Sequence, residues 1–155
     1  MESKNTIGQS FEKAVKATDD IALGFCSGLQ ALGSNSVVIK VQNNRSLNGS
    51  VDIDTTTSSL YPQDARWDYT VGYDNRAYFV EVHPANTSNV KEMIHKKEWL
   101  ENWLNIHAPE LKKIKAEAPY YWVPSGKVAI LRNSPQFKRI ALNHIPVSYT
   151  HLRAH

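Results

Sequence analysis

An α/β fold with a central mixed sheet flanked by helices is what this sequence predicts, and three observations carry it. Runs of β-branched and aromatic residues at strand length alternate with segments whose apolar residues recur at helical spacing. Asp74 and Asn75, two residues that tolerate positive backbone angles, divide two of those runs and mark a tight hairpin. No internal repeat or low-complexity tract breaks the pattern. At 155 residues the chain is long enough to bury one core without disulfides or a structural metal, so a single domain is expected.

Taken in order, Phe11, Val15, Ala22, Phe25, Leu29 and Leu32 keep one apolar stripe, which predicts a long first helix capped by Ser10 and ended at Gly33. Residues 37–42, VVIKVQ, read as a short strand in which Lys40 and Gln42 share a face. The polar, turn-rich stretch after it reads as a loop or hairpin excursion, with room for an extra strand at residues 51–55. Two strands then flank Asp74 and Asn75. Val90, Ile94, Leu100, Trp103 and Leu104 predict a helix over residues 89–105, with Asn89 and Glu92 spaced as a capping pair. Residues 109–119, PELKKIKAEAP, form a charged connection or short helix. Residues 120–132 read as strand, Ser-Gly turn and strand. Ser134, Pro135 and an apolar side of Phe137, Ile140 and Ala141 predict a last helix.

Hydrophobic residues make up 41% of the chain and charged ones 21%, the balance of a soluble globular protein. No apolar run approaches the roughly 18 to 20 residues that span a bilayer. The amino terminus, MESKNTIGQS, lacks a basic region followed by an apolar one, so no membrane partner and a cytoplasmic location are the expectation. Cys26 is the lone cysteine and sits at an apolar position of the expected first helix, which predicts a buried structural thiol. Residues 147–155, VSYTHLRAH, look like a one-frame translation of a sequencing-library adaptor. Setting that tail aside leaves the domain at residues 1–146, leaves the natural carboxyl terminus open and removes His151 and His155. It also removes Arg153, which lowers the formal charge from +3 to +2. So mild a charge supports nucleic-acid binding only where basic residues cluster.

The hairpin holds the chemistry. A two-residue loop at Asp74 and Asn75 pairs Tyr73 with Arg76, and stepping outward sets Asp68 opposite Glu81 and Arg66 opposite His83. Period-two alternation then puts Arg66, Asp68, Thr70, Phe79, Glu81 and His83 on one face, with Trp67, Tyr69, Val71, Tyr78, Val80 and Val82 on a core face. Like charges directly opposed at about 5 Å are unfavourable. Arg66, a proton held at raised pKa, or a divalent cation could offset the repulsion, and two carboxylates beside a carbonyl supply the hard oxygens that Mg²⁺ prefers. An exposed hairpin carrying solvated acids beside Arg66 is the plainer alternative.

Helix, strand, hairpin with Asp68 on its first strand and Glu81-Val82-His83 on its second, helix, strand: this order resembles the PD-(D/E)xK nuclease-like, or restriction-endonuclease-like, superfamily with its αβββαβ core. The resemblance covers residues 11–123. It implies a metal-dependent nuclease-like domain hydrolysing phosphodiester bonds in DNA or RNA, DNA ahead of RNA, with Mg²⁺ or Mn²⁺ as cofactor. By the same resemblance Asp68 and Glu81 are metal ligands, Val82 offers its carbonyl, and Glu12 is the candidate acid from the first helix. His83 stands where the family has lysine, the residue that orients the attacking water. Either His83 does that work or a lysine from elsewhere replaces it. Lys40 is the first candidate, with Lys91 and Lys96 on the second helix less direct. Arg66 would contact the phosphate. The other reading is a non-catalytic nucleic-acid- or protein-binding module on the same fold with a degenerate site.

Other patterns carry less. His83, His95 and His107 are evenly spaced but fall on a strand, a helix and a loop with no cysteine pair, unlike a structural zinc site. Trp99, Trp103 and Trp122 suit packing more than base stacking. Lys112, Lys113 and Lys115, and the pair Lys138 and Arg139, would follow a phosphate backbone or form a solvated face.

Overall fold

The computed structural model describes residues 10–126, 130, 134–147 and 150–152, the last three by backbone alone. Helix α1 (Phe11–Lys16) starts where Ser10 Oγ accepts the Lys13 amide and stops after six residues. The long first helix expected from the apolar stripe is therefore absent. Thr18, Asp19 and Asp20 follow α1, and Gly24, Gly28 and Gly33 each weaken a helix, so the chain proceeds through 3-10 turns at Ala22–Gly24 and Gln30–Val38 instead. Gly33 breaks the second of these with φ 54°. The stripe itself is split: Phe11 and Val15 are buried in one core cluster and Leu32 in another, while Ala22, Phe25 and Leu29 are partly buried. Cys26 is half-buried rather than buried, because its backbone bridges Ser50 where the expected helix is missing.

Strand β1 (Ile39–Val41) forms, but it pairs only with β6 (Thr150–Leu152), in parallel and away from the central sheet. That backbone pairing involves the tail set aside on sequence grounds. The central sheet takes its first strand, β2 (Leu47–Asp52), from the stretch expected as a loop. Asn48, Gly49 and Ser50 are weak strand formers, yet Gly49 is required: it has φ 148°, and an added Cβ would fall 2.4 Å from the Phe25 ring. Asp52 then caps the short helix α2 (Ile53–Thr57) by accepting the Thr55 amide.

β3 (Tyr69–Tyr73) and β4 (Arg76–His83) form the hairpin in the expected register, with Tyr73 opposite Arg76, Thr70 opposite Phe79 and Tyr69 opposite Val80. Asp74 and Asn75 both have positive φ, 55° and 56°, as the primed turn needs. Helix α3 (Val90–Ile106) and the short α4 (Pro109–Lys113) cross back to β5 (Lys115–Pro124), which runs parallel to β4. The sheet order is β2-β3-β4-β5, mixed, with three antiparallel strands and one parallel. β5 starts earlier than expected. Pro119 sits where its register slips against β4, so its missing N–H breaks no regular ladder. Helix α5 (Pro135–Leu142) follows the Ser134 cap, with Ile140 buried but Phe137 and Ala141 facing solvent. Residues 127–129 and 131–133, where the second strand after the Ser-Gly turn is expected, lie outside the described residues.

Both faces of the hairpin are buried, which argues against the alternative of an exposed hairpin with solvated acids. Phe79, Tyr120 and Trp122 pack with Met93, Leu100 and Leu104 of α3, while Val71, Tyr78, Val80 and Val123 pack with Leu32 and Ile39. Trp67 joins the first group, since the chain before Tyr69 has left strand geometry. Among the described residues no helix is long and apolar enough to cross a membrane.

Gly72 of β3 lies under α1, and a Cβ there would fall 2.2 Å from the Phe11 ring. Gly72→Ala is expected to cost about 1 to 3 kcal/mol through overpacking, read as a lower urea midpoint at unchanged slope. A neutral result would show that α1 docks loosely.

Candidate active site at the end of the hairpin

Asp68 lies one residue before β3, and the hairpin rung it would occupy is completed by side chains. Its backbone N–H donates to Glu81 Oε1 at 2.9 Å, and its own Oδ2 accepts the Val82 N–H at 3.1 Å. Each carboxylate is thus fixed by the other strand's backbone, and the two stand side by side as the sequence predicts. Helix α2 fixes Asp68 from below, because the Ile53 and Asp54 amides donate to its carbonyl at 2.8 and 3.3 Å. In an extended strand the N–H and C=O of one residue leave by the same edge, so the Val82 carbonyl shares the Asp68 side.

The charge that offsets the pair comes from α3. Lys96 Nζ bonds Glu81 Oε2 and lies 3.8 Å from Asp68 Oδ1. Glu81 is completely buried, whereas Asp68 and Lys96 side chains keep 21% and 13% exposure, so solvent reaches the group from the side of Asp68 and Lys96. Burial, and next the Asp68 charge, push the Glu81 carboxyl up to about 8 against the pull of Lys96. Burial also raises Asp68, opposed by Lys96 and by the Val82 N–H. For Lys96 burial acts to lower the pKa, but Glu81 and Asp68 outweigh it and hold the ammonium charged. Of the three expected remedies the site therefore uses one, a proton held at raised pKa, and Lys96 supplies the positive charge in place of Arg66.

His83 joins the group from the next same-face position on β4. Its Nδ1 lies 3.8 Å from Glu81 Oε2 and its Nε2 3.2 Å from Glu92 Oε1 of α3. Three expected site residues are not brought in. Arg66 donates instead to Asp54 Oδ1 at 2.8 Å and to the Tyr61 carbonyl at 2.7 Å, because the ladder ends at Tyr69 and no longer sets Arg66 opposite His83. Lys40 is exposed on β1, outside the four-stranded sheet. Glu12 is exposed and ion-paired with Lys16 at 2.6 Å. Its helix docks at the turn end of the hairpin, where the Phe11 N–H reaches Asn75, far along the strands from Asp68. Lys91 is exposed on α3.

Lys96 is the residue that sequence reasoning ranked too low. A signal existed: at helical spacing between Met93 and Leu100 the sheet-facing side of α3 passes Lys96, partly buried, and Lys97, buried. His95 is exposed on α3 and His107 lies against the Tyr61 ring, so the three evenly spaced histidines do not meet. Trp99 stacks on Trp103, and Trp122 is buried with its Nε1 donating to the His83 carbonyl. Lys112 reaches Asn105, Lys113 pairs with Glu110 and Lys115 leans on the Tyr120 ring, so these lysines form no single stripe.

Among the described residues no three His, Cys, Asp or Glu side chains form a ready metal cage. The donor set nonetheless suits a hard cation. Two carboxylates lie together with an ammonium already between them, which marks that point as one where positive charge is stabilised.

A carboxyl whose folded pKa of about 8 stands above its ordinary 4.5 binds its proton more tightly in the folded state. That contribution to stability is complete below pH 4.5 and drains as pH rises toward about 8. Glu81→Gln cannot ionise, so the wild-type melting temperature is expected to fall relative to that of the variant across this range. Parallel melting curves would show that Glu81 ionises without penalty. No protein-family model, curated protein or solved structure matches the chain, so any functional reading rests on these side chains.

Proposed function

We propose that this chain is a metal-dependent nuclease-like domain of the PD-(D/E)xK type, hydrolysing phosphodiester bonds in DNA or RNA, with DNA the first candidate. The observation that supports it best is the meeting of Asp68, Glu81 and Lys96, from the edges of three elements, around one point. With the short helices α2 and α4 counted as insertions, the order α1, β2, β3, β4, α3, β5, antiparallel and then parallel, supports the αβββαβ reading once β2 replaces residues 37–42 as the first strand.

Asp68, Glu81 and the Val82 carbonyl would hold Mg²⁺ or Mn²⁺. Bound there, the ion would supply positive charge to the phosphate oxygens and lower the pKa of a nearby water. The chain's own groups do the rest. Lys96 brings the family's lysine charge from a helix instead of from β4, which answers the departure at His83. As the ammonium gives up its bond to Glu81, it is free to face the non-bridging oxygens of the phosphate, where charge grows in the transition state. The buried wall of Phe79 and Trp122 behind Glu81 lowers the local dielectric and strengthens each of these contacts.

One observation favours the second reading, a non-catalytic nucleic-acid- or protein-binding module. A completely buried Glu81 bonded to Lys96 is a closed contact that can serve the fold with no ligand.

An assay of the whole chain on DNA and RNA with Mg²⁺ or Mn²⁺ separates the two. Cleavage is expected, falling about 100-fold or more in Asp68→Asn, Glu81→Gln and Lys96→Met, and unchanged in Lys40→Ala. Cleavage that survives the Asp68 and Glu81 changes would overturn the site. Tight binding without cleavage would favour the binding module.

A further inference from the structure

The family's lysine combines a positive charge with a group that orients water, and here two side chains stand near the carboxylates in its place. Lys96 carries the charge. His83 has a fixed backbone: its carbonyl accepts both the Trp122 indole N–H at 2.9 Å and the Ser125 amide at 3.2 Å. What remains free is the ring, and the two nitrogens meet different partners. Nε2 faces Glu92 Oε1 at 3.2 Å, within hydrogen-bond reach. Nδ1 faces Glu81 Oε2 at 3.8 Å, beyond direct hydrogen-bond reach.

Glu92 is an unexpected partner for His83. On a helix the usual partner of a glutamate is the lysine four residues on, here Lys96. Lys96 turns instead to Glu81, and among the described residues the Glu92 carboxylate meets the His83 imidazole. In a neutral imidazole, a carboxylate that accepts from one ring nitrogen puts the hydrogen on that nitrogen and leaves a lone pair on the other.

We propose that Glu92 is a positioning residue of the candidate active site: it fixes His83 as the neutral Nε2–H form, with the Nδ1 lone pair directed at the Glu81 carboxyl to orient a water beside it. This rests on the nuclease reading above. His83 and Lys96 then divide the work of one lysine, the first accepting a hydrogen bond from the water and the second supplying charge. Glu92 touches neither water nor phosphate and acts only through the ring. Its half-exposed position in the first turn of α3 also means that it can be changed without opening the core.

The test uses two readouts on the whole chain. Long-range proton–nitrogen correlation spectra of wild type, Glu92→Ala and Glu92→Gln read which nitrogen of His83 carries the hydrogen. The Nε2–H form is expected to dominate in wild type, to give way in Glu92→Ala, and to return in Glu92→Gln, whose amide oxygen still accepts the bond. In cleavage assays kcat is expected to fall about tenfold in Glu92→Ala with KM within about twofold, and to recover in Glu92→Gln. A dominant Nδ1–H form in wild type, or an Ala variant with unchanged spectra and kcat, overturns the proposal. A chain that cleaves nothing while His83 keeps a Glu92-dependent Nε2–H form supports the contact and overturns the nuclease reading instead.

Discussion

Asp68 and Glu81 are pressed together by the backbone, and the rest of the site follows from how that repulsion is met. The hairpin forces the approach: the Asp68 amide needs Glu81 as its acceptor and the Val82 amide needs Asp68, since the regular ladder stops at Tyr69. Two buried backbone donors are satisfied only if two carboxylates share one small space. Burial then makes ionisation of both costly, and the protein meets that cost with Lys96 and with a proton retained on Glu81. Helix α3 is tied to the hairpin end by the same need, since Lys96 and Glu92 both reach down to β4.

This dependence explains which parts of the molecule were legible in its sequence. The hairpin was, down to the register, because Asp74 and Asn75 fix the turn and the period of two carries that register outward without further information. The acid pair inherits that certainty. Arg66 does not, because the inference assumed that strand geometry continued past Tyr69, and the chain bends there to place Trp67 in the core. Helix α3 was legible from its apolar spacing, and α5 from its Ser-Pro start.

What the sequence hid is non-local. Residues 37–42 and 47–52 compete for one place in the sheet, and the stronger local strand former loses. Gly49 lets Phe25 close against β2, a fit visible only once both segments are placed. Lys40 was misassigned for that reason alone. Similarly, α1 to Leu32 has helical spacing, but spacing reports which side is apolar and not whether Asp19, Asp20 and three glycines permit the helix. Lys96 depends on how α3 lies across β4, which no local pattern encodes. Its trace in the sequence is a lysine pair at the helical spacing that joins Met93 to Leu100.

A cation site and a closed Lys96–Glu81 contact make opposite demands on Lys96. If the ammonium holds the place of a metal ion, then removing it should favour the ion. Calorimetric titration of Mn²⁺ into the whole chain tests this most directly. One ion per chain is expected, with binding abolished in Asp68→Asn and tightened in Lys96→Met. Absence of saturable binding, or binding indifferent to both substitutions, would contradict a metal site at the end of this hairpin.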